Sequence, residues 1–352
     1  MGLESEKITK TIQDAKIIEE KSNNSKNIIT YSAILITFLI ALWLSFQSEG
    51  PSKLPKVVTD EFTFTAWVND GEDYLKKNYR WFTKIIAGYI KNGYYFLEDF
   101  LIDSPWLLIA AIIFLPCLIA GGLRLGLYSL FVIYFWGGTG MWDESMQTLA
   151  LMGLSVLLCV VFGVSLGVMC SQSDRFDNFM KPILDTMQVM PAFVYLFPAL
   201  FFFGIGGAPA ILATMIYAMP PIIRLTNTGI RQVPEQTIES ATSFGSSKLQ
   251  LLFKIKIPLS LPSIMMGINQ VIMMALALVV LACFIGAEGI GGQVWLAIRN
   301  LDVGWAMEGG LCILFMAIMF DRFGLALSKP KTTLPSDAVS YTHLTLPTSD
   351  LV

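Results

Sequence analysis

Residues 224–262 read RLTNTGIRQVPEQTIESATSFGSSKLQLLFKIKIPLSLP, a polar stretch between two long apolar runs. Pro234 suits the first turn of a helix, where its missing N–H has no intrahelical partner to lose. Ile238 and Ala241 then share one face at helical spacing, and Glu235 and Glu239 share a polar one. Gly245 can adopt the left-handed backbone that ends such a helix, and Ser246 or Ser247 can cap the next. Leu249, Leu252 and Phe253 line that second short helix, which Pro258 is expected to stop. The spacing therefore predicts two short helices bent at a glycine. Arg224, Arg231, Lys248, Lys254 and Lys256 would hold them at a membrane surface, in a shape suited to docking against another protein.

Composition sets the surroundings of this stretch. Of 352 residues 54% are hydrophobic and only 14% charged, which is not the balance of an ordinary soluble domain. Apolar runs long enough to cross a ~30 Å hydrocarbon core recur along the chain. They fall at 28–46, Pro105–Ala120, Leu125–Trp136, Met146–Cys170, Thr186–Phe203, Pro209–Ile223, Leu261–Ile285 and Trp305–Phe323, about eight transmembrane helices. Gly121 to Arg124 alone separate the second and third, which predicts a tight hairpin. The first run follows a polar lead and has no small-residue cleavage site, so it reads as an uncleaved anchor.

Between the first and second runs, residues 47–103 carry turn signals at Gly50-Pro51-Ser52 and Asn69-Asp70-Gly71. Aromatics from Trp81 to Phe100, interspersed with Lys84, Lys91, Glu98 and Asp99, then form an amphipathic helix. It reads as an interfacial helix lying along the membrane surface, with packing on the bundle as the alternative. The domain order expected from the sequence is a polar 1–27, an anchor 28–46, an extracytoplasmic 47–103, a transmembrane bundle 104–328 with its loop 224–260, and a tail 329–352. Residues 337–352 have no apolar period and read as a non-native extension.

Basic residues orient the bundle. Arg124, Arg175, Lys181, the five cations of the central loop, Arg322, Lys329 and Lys331 fall on one side. The opposing short loops, 137–145, 204–208 and 286–304, carry only Arg299. The positive-inside rule then places both termini and the central loop in the cytoplasm, the long segment 47–103 counting weakly.

Several chemistries are absent from the pattern. No G-x-x-x-x-G-K-[ST] occurs, so the chain is not expected to bind ATP by that route. The glycine-rich run Gly286–Gly292 follows a span on the outer side and is either flexible backbone at an outer mouth or a tight turn. The five cysteines lie within apolar runs or at their ends and lack C-x-x-C spacing. The single histidine, His343, is in the tail, so no catalytic or metal site is expected. The net charge of −3 gives no case for nucleic acid.

Glu239, Ala241 and Gly245, followed by Ile255, Ile257 and Pro258, resemble the EAA loop of permease subunits of ABC importers, with Ser240 departing from the small apolar residue usual there. Met190-Pro191-Ala192-Phe193-Val194-Tyr195-Leu196, Pro220-Pro221-Ile222-Ile223-Arg224-Leu225-Thr226 and Asn269-Gln270 extend the resemblance to the glycine betaine/proline (quaternary amine) branch. It covers Met141 to Phe323 and implies an all-α, polytopic membrane protein with a type I importer-like bundle in the bacterial inner membrane. It also implies a separate ATPase carrying ATP and magnesium, an extracytoplasmic binding protein, and a second copy of the chain in the bilayer. Glu239, Ala241, Gly245, Ser246, Lys248 and Pro258 would then form the ATPase-coupling loop.

Prolines 191 and 198 remove backbone donors within a membrane run, as do 220 and 221, and should interrupt or kink their helices. With Gln188, Tyr195, Asn269 and Gln270 nearby or on a facing span, residues 186–223 and 262–286 are the expected translocation route. For any one of these polar residues, hydrogen bonding between helices is the competing reading. A self-sufficient, ion-coupled secondary transporter is the alternative function. It requires ionisable groups at mid-membrane, for which only Glu288, Glu308 and Asp321 are available.

Overall fold

The computed structural model describes residues 30–43 and 64–328, and these are helical, with no strand among them. The polar lead 1–27 and the tail, including residues 337–352, lie outside the described residues. The chain divides into two units, Met1–Asn78 and Tyr79–Val352. In the first, α1 (Thr30–Trp43) is apolar but too short to count as a full span. The helix α2 (Phe64–Asp103) begins in the first unit, where Glu72 pairs with Lys76, and continues into the second.

Within the second unit the last turns of α2 pack on the bundle, the second of the two readings above. Tyr94 is buried against Gly207, where an added Cβ would come within 2.8 Å of the ring. One turn on, Glu98 is also buried. Tyr94 and Gln147 hydrogen-bond its carboxyl, and the Gln147 amide Nε2 also donates to Glu288 Oε2 at 2.9 Å.

Among the described residues five helices are long and apolar enough to cross a membrane, six when a bent pair is counted as one span. They are α3 (Trp106–Gly138), α4 (Trp142–Gln172), α7 (Gly207–Arg231), the helical stretch Lys248–Ile285 and α12 (Val303–Ser328), and the pair joins α5 (Asp174–Val189) to Ala192–Phe203 at 110°. The difference from the count of about eight lies in α1 and in α3. Gly122, at φ 71°, breaks α3, and Gly126 lies against Phe114 and Leu118 while Cys117 faces Ser129. Residues 114 and 126 would be about 18 Å apart along a straight helix. The chain therefore folds back at Gly122, and the expected hairpin is present as one helical segment.

The bundle is built around α7, whose most apolar window is 72% buried, against 17–39% for the other spans. The helix α4 crosses it at Gly163 and Gly167. A Cβ on Gly163 would fall 2.3 Å from Ile222, and one on Gly167 2.8 Å from the Ile223 carbonyl. On its other side, Gly267 of α10 (Ile257–Leu281) would place a Cβ 3.1 Å from the Ile222 Cα, and Gly229 meets Ser263. Hydrocarbon gives apolar helices little reason to associate, so close backbone approach at small residues supplies the dispersion contact instead.

Two expectations about prolines are corrected. Pro220 and Pro221 lie inside α7, which continues unbroken to Arg231 instead of ending near Ile223. Both are buried in the tight α4–α7–α10 contact, and packing there holds the helix across the missing donors. Pro191 does mark a break, standing before the 3₁₀ turn Ala192–Tyr195, whereas Pro198 falls in the first turn of α6 (Leu196–Phe203) and is tolerated.

Gly167→Val should lower bundle stability by about 1–3 kcal/mol through overpacking against backbone that cannot yield. Gly153→Val, on the same helix with open space at its Cβ, should cost much less in a detergent melting assay. A pH dependence follows from Glu98. Burial raises its carboxyl above the ordinary 4.5, and the Glu288 and Asp99 carboxylates push the same way against the Tyr94 and Gln147 hydrogen bonds. The native pKa lies above the unfolded one, so stability is complete at acid pH and falls as pH rises through that window. The melting advantage of Glu98→Gln over wild type should thus be absent near pH ~4 and grow towards neutrality.

Candidate functional site

At one end of the bundle α7 delivers the chain into the polar stretch, and Arg231, its last residue, is fixed from three sides. Its Nη1 donates to Asp174 Oδ1 at 2.6 Å, its Nη2 to the Cys170 carbonyl at 2.8 Å and its Nε to Asn227 Oδ1 at 2.8 Å. Asn227 Nδ2 in turn donates to Asp177 Oδ1 at 2.7 Å, and Lys181 pairs with the same carboxylate at 2.9 Å. A turn earlier Arg224 forms an ion pair with Asp185. The two arginines therefore bind the exit of α7 to the whole length of α5, whose start is capped by Ser173. Sequence reasoning missed this clamp because Arg231 and Asp174 are 57 residues apart. The available signal was the pair of aspartates in the first turn of an amphipathic helix.

Beyond Arg231, Pro234 stands one position before the first helical residue, in extended backbone, so its absent donor costs nothing there. The helix α8 (Glu235–Ser243) buries Ala241 and exposes Glu239. It ends at Gly245, φ 80°, whose N–H donates to the Thr242 carbonyl at 2.9 Å while Ser246 N–H reaches the Ala241 carbonyl at 3.1 Å. This paired return of two donors satisfies carbonyls that a helix end otherwise leaves open. Ser247 caps α9 (Lys248–Leu251) reciprocally with Gln250.

The expected stop at Pro258 does not occur. A π-helical turn, Leu252–Lys256, leads straight into α10, and Pro258 falls in that helix's first turn. A proline ring clashes with the carbonyl four residues back, here Lys254, which lies in the wider π turn, so the helix passes the ring unbroken. The second arm of the loop is thus the projecting end of a 38-residue helical stretch that becomes a membrane span.

The surface of this bent arm is mixed. Phe244, Leu249 and Phe253 are 91%, 68% and 63% exposed, beside exposed Glu239, Lys248 and Lys254. Ser246 is half-buried and Pro258 exposed. Three large apolar side chains held out on a rigid, internally satisfied turn form a patch that a partner surface can bury. No group of three or more metal-ligating side chains occurs among the described residues.

The residues expected along the route lie in different surroundings. Tyr195 is buried, donates to the Met187 carbonyl at 2.5 Å and faces Tyr217, which ties the 110° bend to α7. Asn269 is half-buried against Gly324 of α12, its Nδ2 3.4 Å from Asp321 Oδ1. Gln188, Pro191, Pro198 and Gln270 are exposed. On the opposite end, the glycine-rich run is a tight turn. Gly286 and Gly289 have positive φ, and Ile290 N–H donates to Thr148 Oγ1 at 3.0 Å. A Cβ on Gly289 would lie 2.6 Å from that same hydroxyl.

Residues 160–327 match the family described as binding-protein-dependent transport system inner membrane component. The chain is 40% identical, over 75% of its own length and 75% of the relative's, to a glycine betaine/proline betaine transport system permease protein of Escherichia coli (strain K12). It is 38% identical to a glycine betaine/carnitine transport permease protein of Listeria monocytogenes serotype 1/2a (strain 10403S), over 78% of this chain and 98% of that one. A structure of the MetNI methionine ABC transporter in an inward-facing conformation is 18% identical and superposes with a TM-score of 0.48, covering 52% of this chain and 94% of its own.

Gly245→Val should force a β-branched residue to positive φ at a local cost of about 1–3 kcal/mol. Nothing lies within 4 Å of the added Cβ, so the strain stays in the turn. Faster hydrogen exchange across residues 235–256 with an unchanged melting temperature of the bundle is the expected outcome.

Proposed function

The chain belongs to the binding-protein-dependent transport system inner membrane component family, and on that premise we propose that it is the permease subunit of an ATP-driven importer for glycine betaine, proline betaine or a related quaternary amine osmolyte. The observation that carries this reading is the exposed, doubly capped bend Glu235–Lys256 in a chain whose relatives are named for betaine transport.

The bend docks in a groove on a separate ATPase subunit, which holds ATP and magnesium. Phe244, Leu249 and Phe253 supply the apolar contact, Glu239 and Lys248 the charged rim, and Gly245 the angle between the arms. Two copies of the chain enclose the route, each offering one bend to an ATPase dimer. Closure of the ATPases pulls on α8, and the Arg231 and Arg224 ion pairs carry that displacement to α5 and on to the bend at Pro191. The path passes along residues 186–223 and 262–286, with Tyr195 and Asn269 at helix contacts that change as it switches. An extracytoplasmic binding protein delivers solute to the outward-facing state. The switch is driven by the difference in affinity that the ATPase and the binding protein have for the two states.

The excess of basic residues on one side supports a topology with the docking bend, both termini and the tip of α3 in the cytoplasm and residues 47–103 outside. The helix directions agree among themselves. Asp143 and Glu144, in the first turn of α4, and the Gly286–Gly289 turn fall together at the outer end. Quaternary ammonium selectivity resides mainly on the binding protein, where aromatic faces can enclose the cation.

Reconstitution in liposomes with the ATPase and binding protein of the same system tests the reading. Uptake should require ATP and the binding protein and respond to a quaternary amine in an osmolyte panel. Gly245→Val and Glu239→Lys should assemble normally yet lower uptake per ATP hydrolysed by about ten-fold or more, the scale of a typical coupling energy between sites. Uphill transport by the chain without an ATPase, or full uptake by both variants, would overturn it.

A further inference from the structure

A cleft of about 950 Å³ opens where three helices end on the face that carries the docking bend. The folded tip of α3 contributes Arg124 and Tyr128, the start of α10 contributes Met266, and the end of α12 contributes Arg322 and Leu325. Apart from the two guanidinium groups the wall is largely apolar, and Met266 and Leu325 are 50% and 40% exposed.

The charges in this cleft are poorly answered by the protein. Arg124 forms no ion pair with another described residue. Among the described residues Arg322 has one ion-pair partner, the adjacent Asp321, with Nε 4.0 Å from Oδ2 and the Arg322 side chain 67% exposed. That carboxylate is shared with Asn269. In the sequence Lys329 and Lys331 follow immediately after Ser328, the last residue lining the cleft. By contrast the arginines of the docking end, 224 and 231, each have a carboxylate within bonding distance.

Depth in the membrane decides what can answer them. Arg124 is two residues beyond the point where two apolar arms reverse, and Arg322 is within two turns of the end of the last span. Both long side chains therefore reach the headgroup layer while the cleft below them faces acyl chains. An arginine fork accepts the phosphate of a headgroup through paired hydrogen bonds, and the basic face of a bundle is the one exposed to anionic lipid. A free anion complements only the rim, and an uncharged lipid only the trough.

We propose that this cleft binds one anionic phospholipid of the cytoplasmic leaflet. Arg124 and Arg322 hold its headgroup phosphate and an acyl chain lies along Met266 and Leu325. The inference requires the membrane orientation but not the choice of transported solute.

The test uses the full chain in phosphatidylcholine nanodiscs containing a minor fraction of phosphatidylglycerol, with retained lipid counted by native mass spectrometry after release into detergent. Wild type should retain phosphatidylglycerol preferentially. Arg124→Gln and Arg322→Gln should each reduce that preference about five-fold, the worth of one cation beside an anionic surface. Leu325→Trp, which fills the trough and leaves both arginines, should expel the lipid, and added inorganic phosphate should not. Equal retention of the two lipids by wild type would overturn the proposal, as would a preference that survives in the double arginine variant. Displacement by inorganic phosphate would also overturn it, by showing a headgroup-only site. Retention by folded Leu325→Trp would do the same. Should the arginine variants fail to fold, the wild-type lipid comparison and Leu325→Trp still decide.

Discussion

Close backbone contact along α7 is the constraint on which the remaining structure depends. A helix in hydrocarbon gains little by hiding leucines from lipid, so it must find partners that can approach its backbone. Gly163 and Gly167 from α4 and Gly267 from α10 provide that approach on two sides, at Ile222 and its neighbours. The same enclosure holds a helix containing two adjacent prolines continuous as far as Arg231. Without it the polar stretch would leave the membrane at Ile223, two turns early, and Arg231 would have no fixed place.

Fixing Arg231 sets where the bend Glu235–Lys256 leaves the bundle. A surface ion pair on its own contributes little, since solvent screens it and two flexible side chains must be ordered. Here one guanidinium joins a carboxylate, an amide and a backbone carbonyl at once, and the neighbouring Asn227 and Lys181 hold the second aspartate. Such a network orients α5 with respect to α7 more firmly than any one pair. At Pro191 α5 turns through 110° into the segment Ala192–Phe203, so the exit of α7 and this bent pair are tied through one helix. The bend's own ends are closed by the Gly245 return and the Ser247–Gln250 cap, leaving few backbone groups free to fray.

The two faces of the bundle are built with opposite chemistry. Where α7 leaves the bundle Arg224 and Arg231 face carboxylates, a solvated arrangement. At the other end Glu98 is buried beside Glu288, with Tyr94 and Gln147 as donors, and links α2 to α4 and to the glycine turn. A carboxyl there stays neutral more readily than in water, so the contact of α2 with the bundle has a protonation state of its own.

Much of this was legible along the chain wherever the cause is local. Apolar runs dictate helices in a medium without water. Gly245 and Ser247 mark a bend because positive φ and a side-chain cap are properties of single residues and their near neighbours, and Gly122 reverses α3 for a related reason. Distance along the chain hid the rest. Arg231 finds Asp174 across 57 residues, Asn269 meets Gly324 and Asp321 on another span, and Tyr94 meets Gly207 from a helix that amphipathicity alone would leave on the membrane surface. Pro220, Pro221 and Pro258 read as breaks in sequence, yet packing and a π turn carry the helices past them. The sequence alone determined where membrane helices form and where Gly122 and Gly245 turn the chain, since those depend on φ preferences and the solvent, although the turn expected at Asn69-Asp70-Gly71 is absorbed into α2. Only the tertiary structure decided which polar groups meet and which prolines are absorbed, because both depend on how closely a neighbouring backbone can approach.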